Sequence, residues 1–156
     1  MNIFMTSPDP KACAVVMDDR RLIKMVLETA QLLSSVYRLS VVLDNWAYKL
    51  THRNHPCAVW ARDSRANFDW LVAHGIELAN EYANRYGRRH RSLAVILHCR
   101  DKADQLTFPD TGYRFDCSGQ TVGNVFANYQ ACMIAKWQDD GPLARWTNAE
   151  RPDWSL

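Results

Sequence analysis

The sequence predicts an all-α fold: one compact domain over residues 1–156, a bundle of about five helices with irregular loops. Six Gly and six Pro in 156 residues are too few for a sandwich or barrel, which needs a turn signal roughly every ten residues. Long stretches of good helix formers carry apolar residues at the helical period, and capping residues stand in front of them.

The elements follow in order. Ser7-Pro8-Asp9-Pro10 is an entry signal, a hydroxyl able to cap and then prolines tolerated in a first turn whose N–H groups lack intrahelical partners. A short helix to Met17 is expected. Asp18 or Asp19 can cap a longer helix reaching Arg38. Between Leu39 and His55 the periodicity weakens; Ser40-Val41-Val42-Leu43 reads as a short strand or the apolar end of a connection, and is assigned as loop. Pro56 starts a further helix, and Ser64 or Asp63 caps its continuation to Tyr86, with Gly87 where a helix end favours a left-handed residue. Ser92 to Leu106 is the next helix, 108–119 a loop or small hairpin, and Val122 to Trp137 the last helix. Trp146 and Trp154 in the tail carry enough apolar area to dock on the body.

Nineteen Lys plus Arg against seventeen Asp plus Glu leave a charge of +2, far below the excess of a dedicated nucleic-acid binder, so an anion site must be local. Five scattered cysteines without a Cys-x-x-Cys pair suggest reduced thiols and neither a disulfide framework nor a zinc ribbon. The start Met1-Asn2-Ile3-Phe4 has no basic leader and no long apolar run follows it, which predicts neither export nor a membrane span and a cytoplasmic protein.

The helix from Asp19 is the most informative segment. Arg21, Lys24, Glu28, Gln31, Ser35 and Arg38 fall within about 100° of one another, while apolar residues fill the other directions. Packing on several sides follows, so the polar stripe meets either a strip of solvent or a lined cavity. A second stripe, Asn67, Trp70, His74, Glu77 and Glu81, recurs on the helix before Gly87. His52, Asn54 and His55 gather at the exposed N–H groups of the helix that Pro56 opens, a terminus that attracts anions. Arg85, Arg88, Arg89, His90 and Arg91 concentrate positive charge, and guanidinium forks match phosphate oxygens. Solvated faces and helix-dipole pairing are the alternatives for each group. His52-x-x-His55 has no partner at a metal-ligand spacing, so no metal site is expected, and the absence of a P-loop or dinucleotide fingerprint predicts no cofactor.

Two windows carry a resemblance. Asp19-Arg20-Arg21-Leu22-Ile23-Lys24-Met25-Val26-Leu27-Glu28 resembles the first-helix signature of the phage pyrimidine-dimer DNA glycosylase/AP-lyase family of the endonuclease V type. Ile76-Glu77-Leu78, Glu81, Arg85 and Gly87 are similar to a later helix of that family. The chain also looks like small phage proteins of unassigned function. The resemblance implies a compact helical fold, DNA as partner, Glu28 as acid/base carboxylate, and as nucleophile the α-amine of an N-terminal residue exposed by Met removal. Arg21 stands where the family pattern has His, and the bulk of Asn2 disfavours removal of Met1.

Those departures and the modest charge favour a nucleotide-binding protein over an enzyme at this stage. The expectation is a pocket between the two stripes holding a phosphorylated nucleotide without turnover. Arg85, Arg89 and His90 would hold phosphate, Trp70 or Trp60 would stack on the base, and Arg21, Lys24, Glu28, Gln31, His52, Asn54, His55 and Asn67 would read polar edges. Phage kinship would make it a sponge for a host immune nucleotide signal, a cyclic oligonucleotide or ADP-ribose derivative, in the cytoplasm of an infected bacterium. The alternatives are the glycosylase/lyase and a non-catalytic protein-interaction module; a homo-oligomer is compatible with all three.

Overall fold

The computed structural model describes residues 2–40, 45–109, 111–112 and 123–155. Six helices and no strand make up their regular structure, beside short 3-10 turns: α1 (Pro10–Val15), α2 (Asp19–Leu39), α3 (Pro56–Asp63), α4 (Arg65–Tyr86), α5 (Leu93–Asp101) and α6 (Val125–Asp140). The all-α reading holds. Of the regions assigned from sequence as loop, residues 41–44, and 110 and 113–122 with the proposed hairpin, lie outside the described residues. No helix among the described residues is long and apolar enough to cross a membrane.

Helix α2 is central, packing against α3, α4 and α5, while α1 lies on α4. Its start is set by Asp18, whose carboxylate accepts the backbone N–H of Arg21 at 3.2 Å. Asp9, rather than Ser7, caps α1, because its carboxylate reaches the N–H of Lys11 at 3.0 Å. Ser64 closes α3 in an extended conformation and caps α4 through the N–H of Asn67 at 3.1 Å, so two helices meet at one residue. Gly87 ends α4 at φ +64°. Helix α5 stops at Asp101, short of Leu106, where the chain tightens into a 3-10 turn at Ala103–Gln105. Asn124 caps α6 with two bonds, at 3.0 and 3.3 Å.

One apolar cluster runs through these elements, with Leu22, Leu33, Tyr37, Phe68, Leu71, Leu78 and Ile96 among its most buried members. Tyr37 donates its hydroxyl to the carbonyl of Cys99 at 2.8 Å, so the phenol is both packed and satisfied. The tail docks as its tryptophans suggest. Trp137 of α6 meets Trp146 edge-on at 5.0 Å and stacks with Trp154 at 5.4 Å, and the indole N–H of Trp146 donates to the carbonyl of Val16 at 3.1 Å.

Close approach of α2 and α4 depends on Gly75. A Cβ there would stand 2.7 Å from the Thr29 methyl and 3.0 Å from Ile96 Cδ1. Gly75→Ala gains up to about 1 kcal/mol of helix propensity but overpacks the crossing, a cost of about 1–3 kcal/mol. A net destabilisation is expected in urea unfolding. Adding Thr29→Ser, which removes the obstructing methyl, should recover part of it.

Candidate active site

The polar stripe of α2 divides into two parts with different partners. Its C-terminal half holds the chain that follows. Ser34 Oγ accepts the N–H of Tyr48 at 3.1 Å, Ser35 Oγ accepts that of Thr51 at 3.5 Å, and Arg38 donates to the carbonyls of Ala47 at 2.6 Å and Tyr48 at 3.2 Å. The segment laid down in this way turns at His52, at φ +49°, and delivers His55 as the cap of α3. His55 Nδ1 accepts the N–H of Cys57 at 3.2 Å, which puts the ring proton on Nε2. Burial lowers the His55 pKa, His52 adds to the effect, and the negative charge of Glu28 opposes it, so the imidazole is neutral near pH 7 and within electrostatic reach of Glu28.

The N-terminal half of the stripe borders a cavity of about 270 Å³. Arg20, Arg21, Lys24 and Glu28 of α2 form one wall, Asn2 and Phe4 a second, and Lys136 and Asp140 of α6 a third. The side chain of Glu28 is only 11% exposed, with Lys24 Nζ at 3.3 Å from Oε1. Asn2 is fixed beside it by a tight turn: its Oδ1 accepts the N–H groups of Ile3 at 2.7 Å and Phe4 at 3.2 Å. Phe4 takes φ +55°, a left-handed conformation that costs a bulky residue about 1–3 kcal/mol. Burial of Ile3, Phe4 and Met5 offsets that strain.

Cations on this wall are held in place by buried or half-buried carboxylates. Arg21 Nη1 lies 2.9 Å from Asp18 and 2.8 Å from Asp140, and Arg20 reaches Asp140 at 2.6 Å. The Arg21 guanidinium holds the carboxyl of Asp140 below its ordinary pKa. Asp18 also accepts the indole N–H of Trp137 at 2.7 Å, which ties α6 to the start of α2.

The second stripe, on α4, faces elsewhere. Trp70 donates its indole N–H to the carbonyl of Pro8 at 2.9 Å and stacks on His74, whose Nδ1 donates to the carbonyl of Pro10 at 3.1 Å. The N-terminal segment and α1 therefore cover this stripe, and no α4 residue lines the cavity at Glu28. Arg85, expected to meet phosphate, is fully enclosed: it pairs with Glu81 at 2.7 Å and Asp19 at 3.3 Å and donates to the carbonyls of Met17 at 2.8 Å and Val15 at 3.0 Å. Asn67 is likewise buried, its amide donated to the carbonyl of Trp60 at 2.9 Å, and Trp60 itself belongs to the core. These contacts take up Arg85, Asn67, Trp60 and Trp70, and neither the cavity at Glu28 nor the one at Arg88 and Arg89 is lined by both stripes. Arg89, His52 and Asn54 are exposed, Gln31 is half-buried, and half-buried His90 packs its ring edge-on against Tyr82 at 4.9 Å. Arg88 lies over the same Tyr82 ring at 5.8 Å.

Asn2, the sheltered carboxylate of Glu28 and the neighbouring cations thus border one cavity. Residues 1–94 match the family of the pyrimidine dimer DNA glycosylases. The chain belongs to that family. No curated protein and no solved structure matches it. Both windows that carry the glycosylase resemblance, 19–28 and 76–87, lie inside the matched segment; Lys136 and Asp140 of α6 lie outside it. Sequence reasoning did not single out Asn2, Phe4, Arg20, Lys136 or Asp140 as wall residues. The separation of 120 positions between Arg20 and Asp140 left no local signal for their pairing. Among the described residues, no group of three His, Cys, Asp or Glu is placed to hold a metal ion.

His74 secures the N-terminal wall and is wholly buried, which pushes its pKa down to about 4, against the opposing effect of its bond to Pro10. The unfolded imidazole titrates near 6.5. As pH falls through that value the unfolded chain takes up a proton that the folded one refuses, so this contribution is complete above pH 6.5 and is lost toward pH 4. The loss is on the order of 3 kcal/mol. Urea unfolding across this range should show a steep acid decline, and His74→Phe should flatten it by close to one proton; an unchanged slope would contradict the assignment.

Proposed function

We propose that this chain is a DNA glycosylase with AP-lyase action on pyrimidine lesions, working from the cavity at Glu28. The observation that carries the reading is that Asn2 and Phe4, at the start of the segment that matches the family, and the sheltered carboxylate of Glu28 border one cavity. An α-amine at the head of that segment attacks C1′ of the damaged nucleotide's sugar as the glycosidic C1′–N bond breaks and the base leaves, taking a proton from water; opening of the C1′–O4′ bond then gives the iminium. Glu28 serves as acid/base: it takes the proton that the amine gives up, hands it to O4′ as the ring opens, and the carboxylate so restored takes one from C2′. Loss of the C2′ proton expels the 3′ phosphate, and water releases the sugar from the amine. Arg20, Lys24 and Lys136 face the flanking phosphates, with charge-assisted bonds stronger than neutral ones.

Family membership and geometry both favour this over the nucleotide-holding reading. Arg85, Asn67 and Trp60 have no side-chain group left for a nucleotide.

Borohydride trapping on a duplex with one abasic site tests the reading. A covalent adduct is expected on the N-terminal residue of the mature chain. Glu28→Gln should slow its formation by about 10²–10⁴-fold, the usual worth of a positioned acid/base. An adduct on Lys24 or Lys136, the lysines of the cavity wall, would reassign the nucleophile, and no adduct at all would remove the enzymatic reading.

A further inference from the structure

We propose that Ile23 and Leu27 form an apolar wedge that enters the base stack of duplex DNA beside the cavity. This rests on the glycosylase reading and adds to it the device that opens the duplex. The two side chains lie one turn apart on α2, 44% and 40% exposed. The other large exposed apolar residues among those described, Val15, Leu50 and Leu143, are scattered over other segments.

Their position on the helix gives the pair its meaning. At roughly 100° per residue, the surface of α2 runs from Glu28 at the cavity through Lys24 and Arg20 to Leu27 and then Ile23. Beyond Ile23 comes the arginine corner, because the ring of His90 lies near the backbone of Ile23. Arg88, Arg89 and Arg91 are exposed there, and the side chains of Arg20 and Lys24 are 60% and 64% exposed on the other flank. An exposed aliphatic pair with cations on both sides is complementary to a duplex, whose phosphate strands flank an apolar stack of bases. Proteins that kink DNA insert side chains of this type between base steps. A second copy of the chain fits poorly, since a symmetric contact would set these cations against one another.

The cavity supplies the need for such a wedge. Glu28 is too enclosed to meet a sugar in an undistorted duplex, so the duplex must kink or open for a sugar to reach it. A wedge farther round the same helix, past Lys24 and Arg20, holds that opening while the sugar is at the cavity.

The test uses a duplex carrying a tetrahydrofuran abasic analogue with 2-aminopurine in the neighbouring position, whose fluorescence rises on unstacking. Binding of the wild-type protein should raise it several-fold, and the variant Ile23→Ser with Leu27→Ser should lose the rise. Unstacking opposes opening of the duplex, so the ratio of duplex to single-strand borohydride trapping, measured on a natural abasic site because the tetrahydrofuran analogue forms no imine, should fall by about ten-fold or more in that variant. Leu143→Ser, on a distant exposed leucine, should change neither reading. The wedge is overturned if the double variant keeps the fluorescence rise, or if the wild type binds the duplex without one. Failure of the glycosylase reading is separate: it appears as absence of a borohydride adduct whether or not the fluorescence rises.

Discussion

A single buried carboxylate organises the end of the molecule where the cavity lies. Asp18 caps α2, pairs with Arg21 and accepts the indole N–H of Trp137, all from a fully enclosed position. Moving a carboxylate out of water costs several kcal/mol unless donors replace the lost hydration, and these three replace it from two elements far apart in sequence. Helix α6 is thereby locked against the first turn of α2. With Asp18 satisfied, Arg21 has one face left for Asp140, and the third wall of the cavity follows.

The polar face of α2 resolves a tension common to central helices. The sides of α2 that face other helices leave no room for water, so a polar residue there must find a partner within the protein or border a hollow, while Arg20, Ile23, Lys24 and Leu27 lie on its exposed side. Ser34, Ser35 and Arg38 bind a loop backbone, whereas Arg20, Arg21, Lys24 and Glu28 border the cavity. The helix α4 shows the opposite outcome. Its polar residues Trp70, His74 and Arg85 are all consumed by carbonyl groups of residues 8–17. These three side chains of α4 thus hold residues 8–17, and with them the segment that carries Asn2, in place.

Much of the fold was legible because its signals are local. Pro56, Ser64 and Gly87 act on their own backbone or the next turn, and the limits of α3 and α4 follow from them. The family resemblance was also local, a ten-residue window ending at Glu28, and it located the carboxylate that the structure places at the cavity. What the stripes faced was not local. Periodicity shows that Trp70, His74 and Arg85 share a side of α4, but the carbonyls they meet lie between 62 and 70 positions away. Arg85 illustrates the ambiguity: in sequence it belongs to a basic run, yet Glu81 four residues before it was the sign of an internal pair. Net charge is silent in a similar way, because a sum over the chain does not record that Arg20 and Lys24 are both exposed on α2.

The cavity walls come from residues 2–4, 20–28 and 136–140, so nearly the whole length of the polypeptide must be in place before the pocket is complete. During synthesis, the carboxylate of Glu28 and the head of the chain leave the ribosome long before α6 does. The nascent protein therefore carries two walls of the cavity without the third, and Arg20 and Arg21 lack Asp140 until α6 folds back. Translation order makes α6 the closing piece: the same helix that finishes the hydrophobic packing also times the appearance of a finished site.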